Sequence, residues 1–231
     1  MTLDFKMTVL AIYSGKVTQA YSIETAIDKQ LVTGDIEIDE YGIVTDECAD
    51  PKHHGGTERA LHHYPQEHYS LWKTQYQALD IDRDWLPSSM GENISTLGFD
   101  EHNVCIGDQF QWGEVIIEVS QPRSPCFKLN KRWQIDKFSL QMQQTNRCGW
   151  LYRVVQPGIV KEGASFSRIK RVDNALTIAQ VCDIYFGDPL NVDGLKQLLT
   201  LPLSLSWTYT IEKRLETGHV ENWNFRLLGH P

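Results

Sequence analysis

No stretch of this 231-residue chain is apolar for more than about half a dozen residues, where a bilayer-spanning helix needs roughly twenty. The opening MTLDFKMTVL also lacks a basic region followed by an apolar one. The expectation is a cytoplasmic protein, neither exported nor inserted in a membrane. Cysteine is sparse as well: Cys48, Cys105, Cys126, Cys148 and Cys182 are odd in number and widely spaced. With no CxxC or HxxxH grouping, they argue against a disulfide framework and a structural zinc site, and read as thiols of a reducing compartment. No internal repeat or low-complexity tract is visible. What is present is globular: 41% hydrophobic and 23% charged residues, in a length that suits a main body with a small satellite.

Charge is strongly segregated. Residues 1–119 hold 7 basic against 21 acidic side chains, residues 120–171 hold 11 against 2, and residues 172–231 hold 4 against 7. The basic island in the middle either binds a phosphate or polyanion, or is an exposed face whose charges meet the acidic remainder of the fold.

The pattern predicts an opening strand over Met7–Tyr13 and short strands at Ile36–Ile38 and Gly42–Thr45. A helix over Gln66–Leu79 follows, with Pro65 at its first position and Tyr69, Trp72, Tyr76 and Leu79 on one apolar face. Strands are expected at Val104–Ile106, Gln109–Trp112 and Glu114–Val119, the last with Val115, Ile117 and Val119 turned inward. Lys131–Arg147 reads as one helix with Trp133, Phe138 and Met142 inward and Gly149 as its stop. Strands at Trp150–Gln156 and Phe166–Val172 complete a body ending near Arg171. Beyond the boundary at Arg171–Asn174 the period turns helical, giving helices at Thr177–Phe186, Asp193–Leu199 and Leu205–Glu216.

Three segments hold residues fit for chemistry. In Lys52-His53-His54-Gly55-Gly56, the lysine supplies a point charge for an anion and the glycines allow close backbone approach, unless the segment is simply a polar turn. Adjacent histidines on an extended chain point to opposite faces, so one of His53 and His54 is expected to face a cleft. Gly91-Glu92-Asn93 suits a turn, and equally a fixed amide that reads the edge of a heterocycle. Cys126 lies between Arg123 and Lys128 after two prolines. Cationic neighbours stabilise a thiolate, which is both nucleophile and soft metal ligand; the alternative is a small buried hydrophobe.

Lys52-His53-His54-Gly55-Gly56, Gly91-Glu92-Asn93, Ile106-Gly107-Asp108 and the run from Val119 through Cys126 to Leu129, in this order and spacing, resemble the MOSC domain. That family is named for the C-terminal domain of molybdenum-cofactor sulfurase. The resemblance covers nearly the whole chain and is nearest to the bacterial hydroxylaminopurine-resistance (YiiM-like) branch, which carries a small three-helix C-terminal domain. It implies a mainly β fold with helices, a bent β-barrel body over residues 1–171, and a three-helix domain over residues 172–231. It further implies a molybdenum-cofactor (molybdopterin) oxidoreductase that reduces N-hydroxylated compounds, base analogues among them, to amines, with electrons from a separate flavin or iron–sulfur protein. Cys126 becomes the catalytic residue and sole protein ligand of the metal, and Lys52, His53, His54, Asn93, Arg123, Ser124 and Lys128 become contacts to the pterin or its phosphate. Within the same family the alternative is a sulfur-carrying or cofactor-handling module without redox turnover. A third reading makes the tail a DNA binder; its net acidity opposes that, since nucleic-acid binding draws on several cations, and no nucleic acid or membrane partner is expected.

Overall fold

The computed structural model describes residues 6–7 and 11–230. Its strands are β1 (Lys6–Met7), β2 (Ala11–Ser14), β3 (Thr18–Ala20), β4 (Ile23–Thr25), β5 (Gln30–Leu31), β6 (Ile36–Asp39), β7 (Gly42–Ile43), β8 (Leu61–Pro65), β9 (Ile94–Thr96), β10 (Gln109–Trp112), β11 (Val115–Pro122), β12 (Trp150–Gln156), β13 (Gly158–Val160) and β14 (Phe166–Lys170). Nine of them form one mixed sheet in the order β1-β14-β10-β11-β12-β8-β9-β2-β5, while β13-β6-β7 and β3-β4 make two smaller sheets. The pairing β8–β9 is parallel. Register breaks between β10 and β14 and between β11 and β12 bend the large sheet into a half-barrel.

Alternation drives the centre of this sheet. Val115, Ile117 and Val119 are fully buried while Ile116 and Glu118 between them stay partly exposed. Gly113 turns the β10–β11 hairpin with φ of 60°, a conformation that Gly adopts at little cost. Helices α1 (Pro51–His54), α2 (Glu67–Gln77), α3 (Lys128–Trp133) and α4 (Phe138–Gln144) decorate the body. The tail holds α5 (Ile178–Cys182), which runs into a π-helical turn at Asp183–Gly187, then α6 (Val192–Leu198), α7 (Leu205–Thr217) and α8 (Asn224–Leu228). Thr177 and Gln180 form a reciprocal capping box at the start of α5.

The apolar interior has two parts. One aromatic cluster joins Tyr69, Trp72 and Tyr76 of α2 to Trp85, Trp133, Phe138 and Met142, with Trp85 stacked on Trp133 at 4.0 Å. A larger cluster begins with Phe99, Phe110, Trp112 and Phe166 in the half-barrel and continues through Ile178, Val181, Leu198, Trp207 and Ile211. The tail helices therefore share their core with the sheet.

Several expected elements differ in detail. The single opening strand is two pieces on distant parts of the sheet, β1 beside β14 and β2 beside β9; its residues 8–10 lie outside the described residues. Pro65 ends β8, and α2 stops at Gln77, which leaves Leu79 off the buried stripe and 61% exposed. Val104–Ile106 is no strand. Asp108 folds back to accept from the Cys105 amide, leaving one bridge from Cys105 to Thr177. The expected helix over Lys131–Arg147 is broken into α3 and α4, because Gln134 and Lys137 adopt the left-handed region and Asn130 Oδ1 accepts from the Ser139 amide. Trp133, Phe138 and Met142 are all buried as predicted. Gly149 does not cap that helix. It sits at φ 69° where a Cβ would come within 2.2 Å of the His63 carbonyl oxygen, so it serves close strand approach. The tail has a fourth short helix, α8, that no periodicity announced. Of its cations, Arg214 is buried against Glu221 and Arg226 bonds to the body.

Candidate cofactor and metal site

The site forms where β11 runs out. Pro122 still pairs with Trp150, the Arg123 amide donates to the Gly149 carbonyl at 3.0 Å, and the chain then leaves the sheet through Ser124 and Pro125 to Cys126. Cys126 is 6% exposed. Burial alone pushes its thiol up. A hydrogen bond with the His54 side chain, the charges of His54 and Arg123 and the Lys128 amide outweigh that and hold it at about 7, down from 9.0.

His54 comes from α1. Asp50 caps this helix through the His53 amide, and the His53 ring turns back to the same carboxylate at 3.0 Å. The two histidines thus divide the work: His53 braces the turn and His54 meets the thiol. Lys52 is exposed on the same helix. Lys128 also differs from expectation. Its ammonium donates to the Glu24 carbonyl at 3.1 Å, and what it gives Cys126 is its backbone amide. Ser124 is half-buried beside Arg123.

Asn93 is buried and ties three segments together. Its Oδ1 accepts from the His62 amide at 3.0 Å, and its Nδ2 donates to the Tyr13 carbonyl and to Asp46 Oδ2. Both amide hydrogens are thereby engaged within the protein. The neighbouring Glu92, fully buried with its carboxyl pushed up by desolvation, accepts from Tyr69 Oη and from the amides of Ser88 and Met90. These bonds tie the loop 88–91 to α2.

Three residues that the motifs did not single out complete the wall. Lys29, 7% exposed, places its ammonium 2.5 Å from both oxygens of Asp46, which also accepts from the Gly15 amide. His62 is buried on β8, its ring held well below the usual imidazole range by desolvation and by the charge of Arg123, with smaller contributions from His63 and Lys29. Its Nε2 is buried and has no hydrogen-bond partner. Arg123 Nη1 is likewise buried without a partner. A neutral acceptor and a cationic donor, both close enough for their charges to interact and both unsatisfied, are what a bound polar ligand would relieve. His62 hides in the apolar run Leu61-His62-His63-Tyr64, and only the pairing of two histidines inside a strand hinted at it. Lys29 and Asp46 carry no local signal.

The Ile106-Gly107-Asp108 motif is engaged elsewhere. Asp108, fully buried, receives two bonds from Arg171, at 2.8 and 2.5 Å, and braces the end of β14.

The MOSC domain model matches residues 50–167, a segment that includes α1, β8 and the Cys126 loop. The chain belongs to the MOSC-domain family. A YiiM-like 3-alpha helix domain matches residues 176–218. Protein YiiM of Escherichia coli (strain K12) is 41% identical over 94% of this chain and 97% of its own length. The crystal structure of YiiM from Escherichia coli superimposes with a TM-score of 0.80 over 96% of this chain and 98% of that one, at 36% identity. A protein of Gibberella moniliformis named a reductase is 30% identical over 91% of this chain, which spans 38% of that longer protein. Fold and family agree with the MOSC resemblance, and association with the molybdenum cofactor is what the family name implies. Among the described residues, no helix is long and apolar enough to cross a membrane.

Proposed function

We propose that this MOSC protein is a molybdenum-cofactor-dependent reductase of N-hydroxylated compounds, with Cys126 as the protein ligand to the metal. The observation that carries it is the Cys126 environment: a buried thiol held near 7 by His54, Arg123 and an amide. Thiolate is the soft donor that the chemistry of molybdenum calls for, and the unsatisfied Arg123 Nη1 and His62 Nε2 fit a polar, anionic cofactor beside it. When bound, the cofactor supplies a metal able to accept oxygen in a two-electron step.

The protein's own residues do the rest. Arg123, with the adjacent Ser124 and with Lys52 on the helix that bears His54, would hold the negative charge of the cofactor phosphate. His54 would share a proton with Cys126 in the metal-free protein, and Cys126, freed of that bond, would be the residue that holds the metal. His62 Nε2 would accept an N–H or O–H of the bound molecule. Reduction of R–NHOH to R–NH2 breaks the N–O bond, takes two electrons from a separate flavin or iron–sulfur protein, and takes two protons to release water. His54 is the titratable side chain at the thiol suited to relay one of them.

The test is the molybdenum and pterin content of protein expressed in cofactor-competent and cofactor-deficient hosts, with turnover of an N-hydroxylated base analogue under a chemical reductant. Near-stoichiometric metal from the competent host alone, with amine formed, supports the reading. Cofactor without amine formation would reduce the protein to a carrier, and absence of metal from the competent host would overturn the assignment.

A further inference from the structure

The loop bearing Cys126 is gripped on both sides by the far end of the chain. Arg226 Nη1 donates to the carbonyl of Pro125 at 2.6 Å, and the amide of Phe127 donates to the carbonyl of Arg226 at 2.7 Å. The two residues flanking Cys126 are therefore both bonded to the same residue of α8. The next carbonyl, of Leu227, accepts from Asn130 Nδ2 and Ser139 Oγ, each at 2.8 Å, which fixes α3 and α4 to the same helix. Gly229 at φ 81° lies so close to the Phe127 ring that a Cβ would be 2.9 Å from it. The second arm of the Arg226 guanidinium reaches Gln143 Oε1 at 2.7 Å.

The helix is itself anchored in the tail. Trp223 Nε1 donates to Glu221 at 2.7 Å. Glu221 receives two bonds from Arg214, a side chain 2% exposed that also bonds the Tyr185 carbonyl. Arg226 lies over the rings of Phe186 and Trp223 at 5.7 and 5.8 Å. A continuous set of contacts thus runs from the buried tail to the thiol loop. This helix lies outside residues 50–167 and 176–218, the segments that the family domains match.

We propose that α8 is a latch that sets the position of Cys126, with Arg226 as its positioning residue. Arg226 acts through the backbone of Pro125 and Phe127. The consequence for metal ligation rests on the function proposed above; the latch itself does not, and the experiment separates the two.

The full-length chain, without cofactor, is compared with Arg226→Ala, Arg226→Lys and the control Phe225→Ser at an exposed position. Two quantities are read: hydrogen exchange of the segment 123–128, and the rate at which iodoacetamide modifies Cys126 at one fixed pH. Arg226→Ala should raise exchange in 123–128 by roughly three- to tenfold, the opening that loss of one ordinary hydrogen bond permits. It should change the alkylation rate by a comparable factor, and β11 should exchange as before. Arg226→Lys, which keeps a cationic donor within reach of Pro125, should bring both back to within about twofold of the parent. The control should match the parent. In the parent itself, the Phe127 amide should exchange in step with those of Leu227 and Gly229, because its acceptor opens with α8; that comparison stands even if Arg226→Ala does not fold. Unchanged exchange and alkylation in Arg226→Ala, equal loss in Ala and Lys variants, or a Phe127 amide that stays protected while α8 opens would each overturn the latch. Metal content, measured separately, bears only on the function.

Discussion

Two buried thiol environments lie within one molecule, and they point in opposite directions. Cys126 is met by His54, Arg123 and a backbone amide, and its thiol is drawn down to about 7. Cys182, where the tail packs on the body, is met by the Cys148 thiol and by the charges of Glu101 and Asp183, and together with burial these push it well up. Both side chains are hidden from water, so exposure does not separate them. What separates them is the sign of the neighbourhood: donors and cations around one, a second thiol and carboxylates around the other. Burial makes a cysteine inert only when nothing nearby welcomes its charge.

The strongest way to break this comparison is Cys126→Ser. Nearly isosteric, it should leave the fold almost intact while removing the soft donor, and N-hydroxy reduction should vanish together with bound molybdenum. A Ser variant with normal turnover would return Cys126 to a packing role. Next in size is the pH profile of alkylation. The rate at Cys126 should rise with a midpoint near 7 and then level off, whereas Cys182 should stay unmodified in the folded protein across the same range. A common profile for the two would erase the distinction. His54→Ala should shift the Cys126 midpoint upward towards 9, several-fold slower at pH 7, since the first of the lowering causes is removed.

A smaller effect follows by linkage. The folded thiol lies below its unfolded value of 9.0, so the thiolate contributes its full stability above that pH and loses it as the pH falls through about 7. Replacing Cys126 by Ser should flatten this part of the stability profile, measurable by denaturant unfolding between pH 6 and pH 9. Smallest is the cost of Cys148→Ala or Cys182→Ala, of order one or two kcal/mol for a buried small side chain, with reactivity at Cys126 unchanged.

Much of this was readable from the chain. The alternation of Val115, Ile117 and Val119 gave the central strand, and Trp150–Gln156 is a strand with the predicted bounds. Where reading failed, the deciding contact was distant or the element too short. Trp133 and Phe138 are five apart, a spacing that already strains one helix, yet the break depends on Asn130 capping Ser139. His53 and His54 were indistinguishable until Asp50 claimed one of them. Lys29, Asp46 and His62 come from segments up to 33 residues apart along the chain, and five-residue α8 is too short for a period to show.

The bond from Arg226 to Pro125 spans 101 positions of the chain. During synthesis the thiol loop therefore emerges well before the residue that grips it, a delay of roughly 5–20 s at ordinary rates of translation. Over that interval Cys126 is made, but the two bonds from residue 226 to its neighbours are not yet formed. The thiol loop can take the form seen in the structure only once residue 226 has been made.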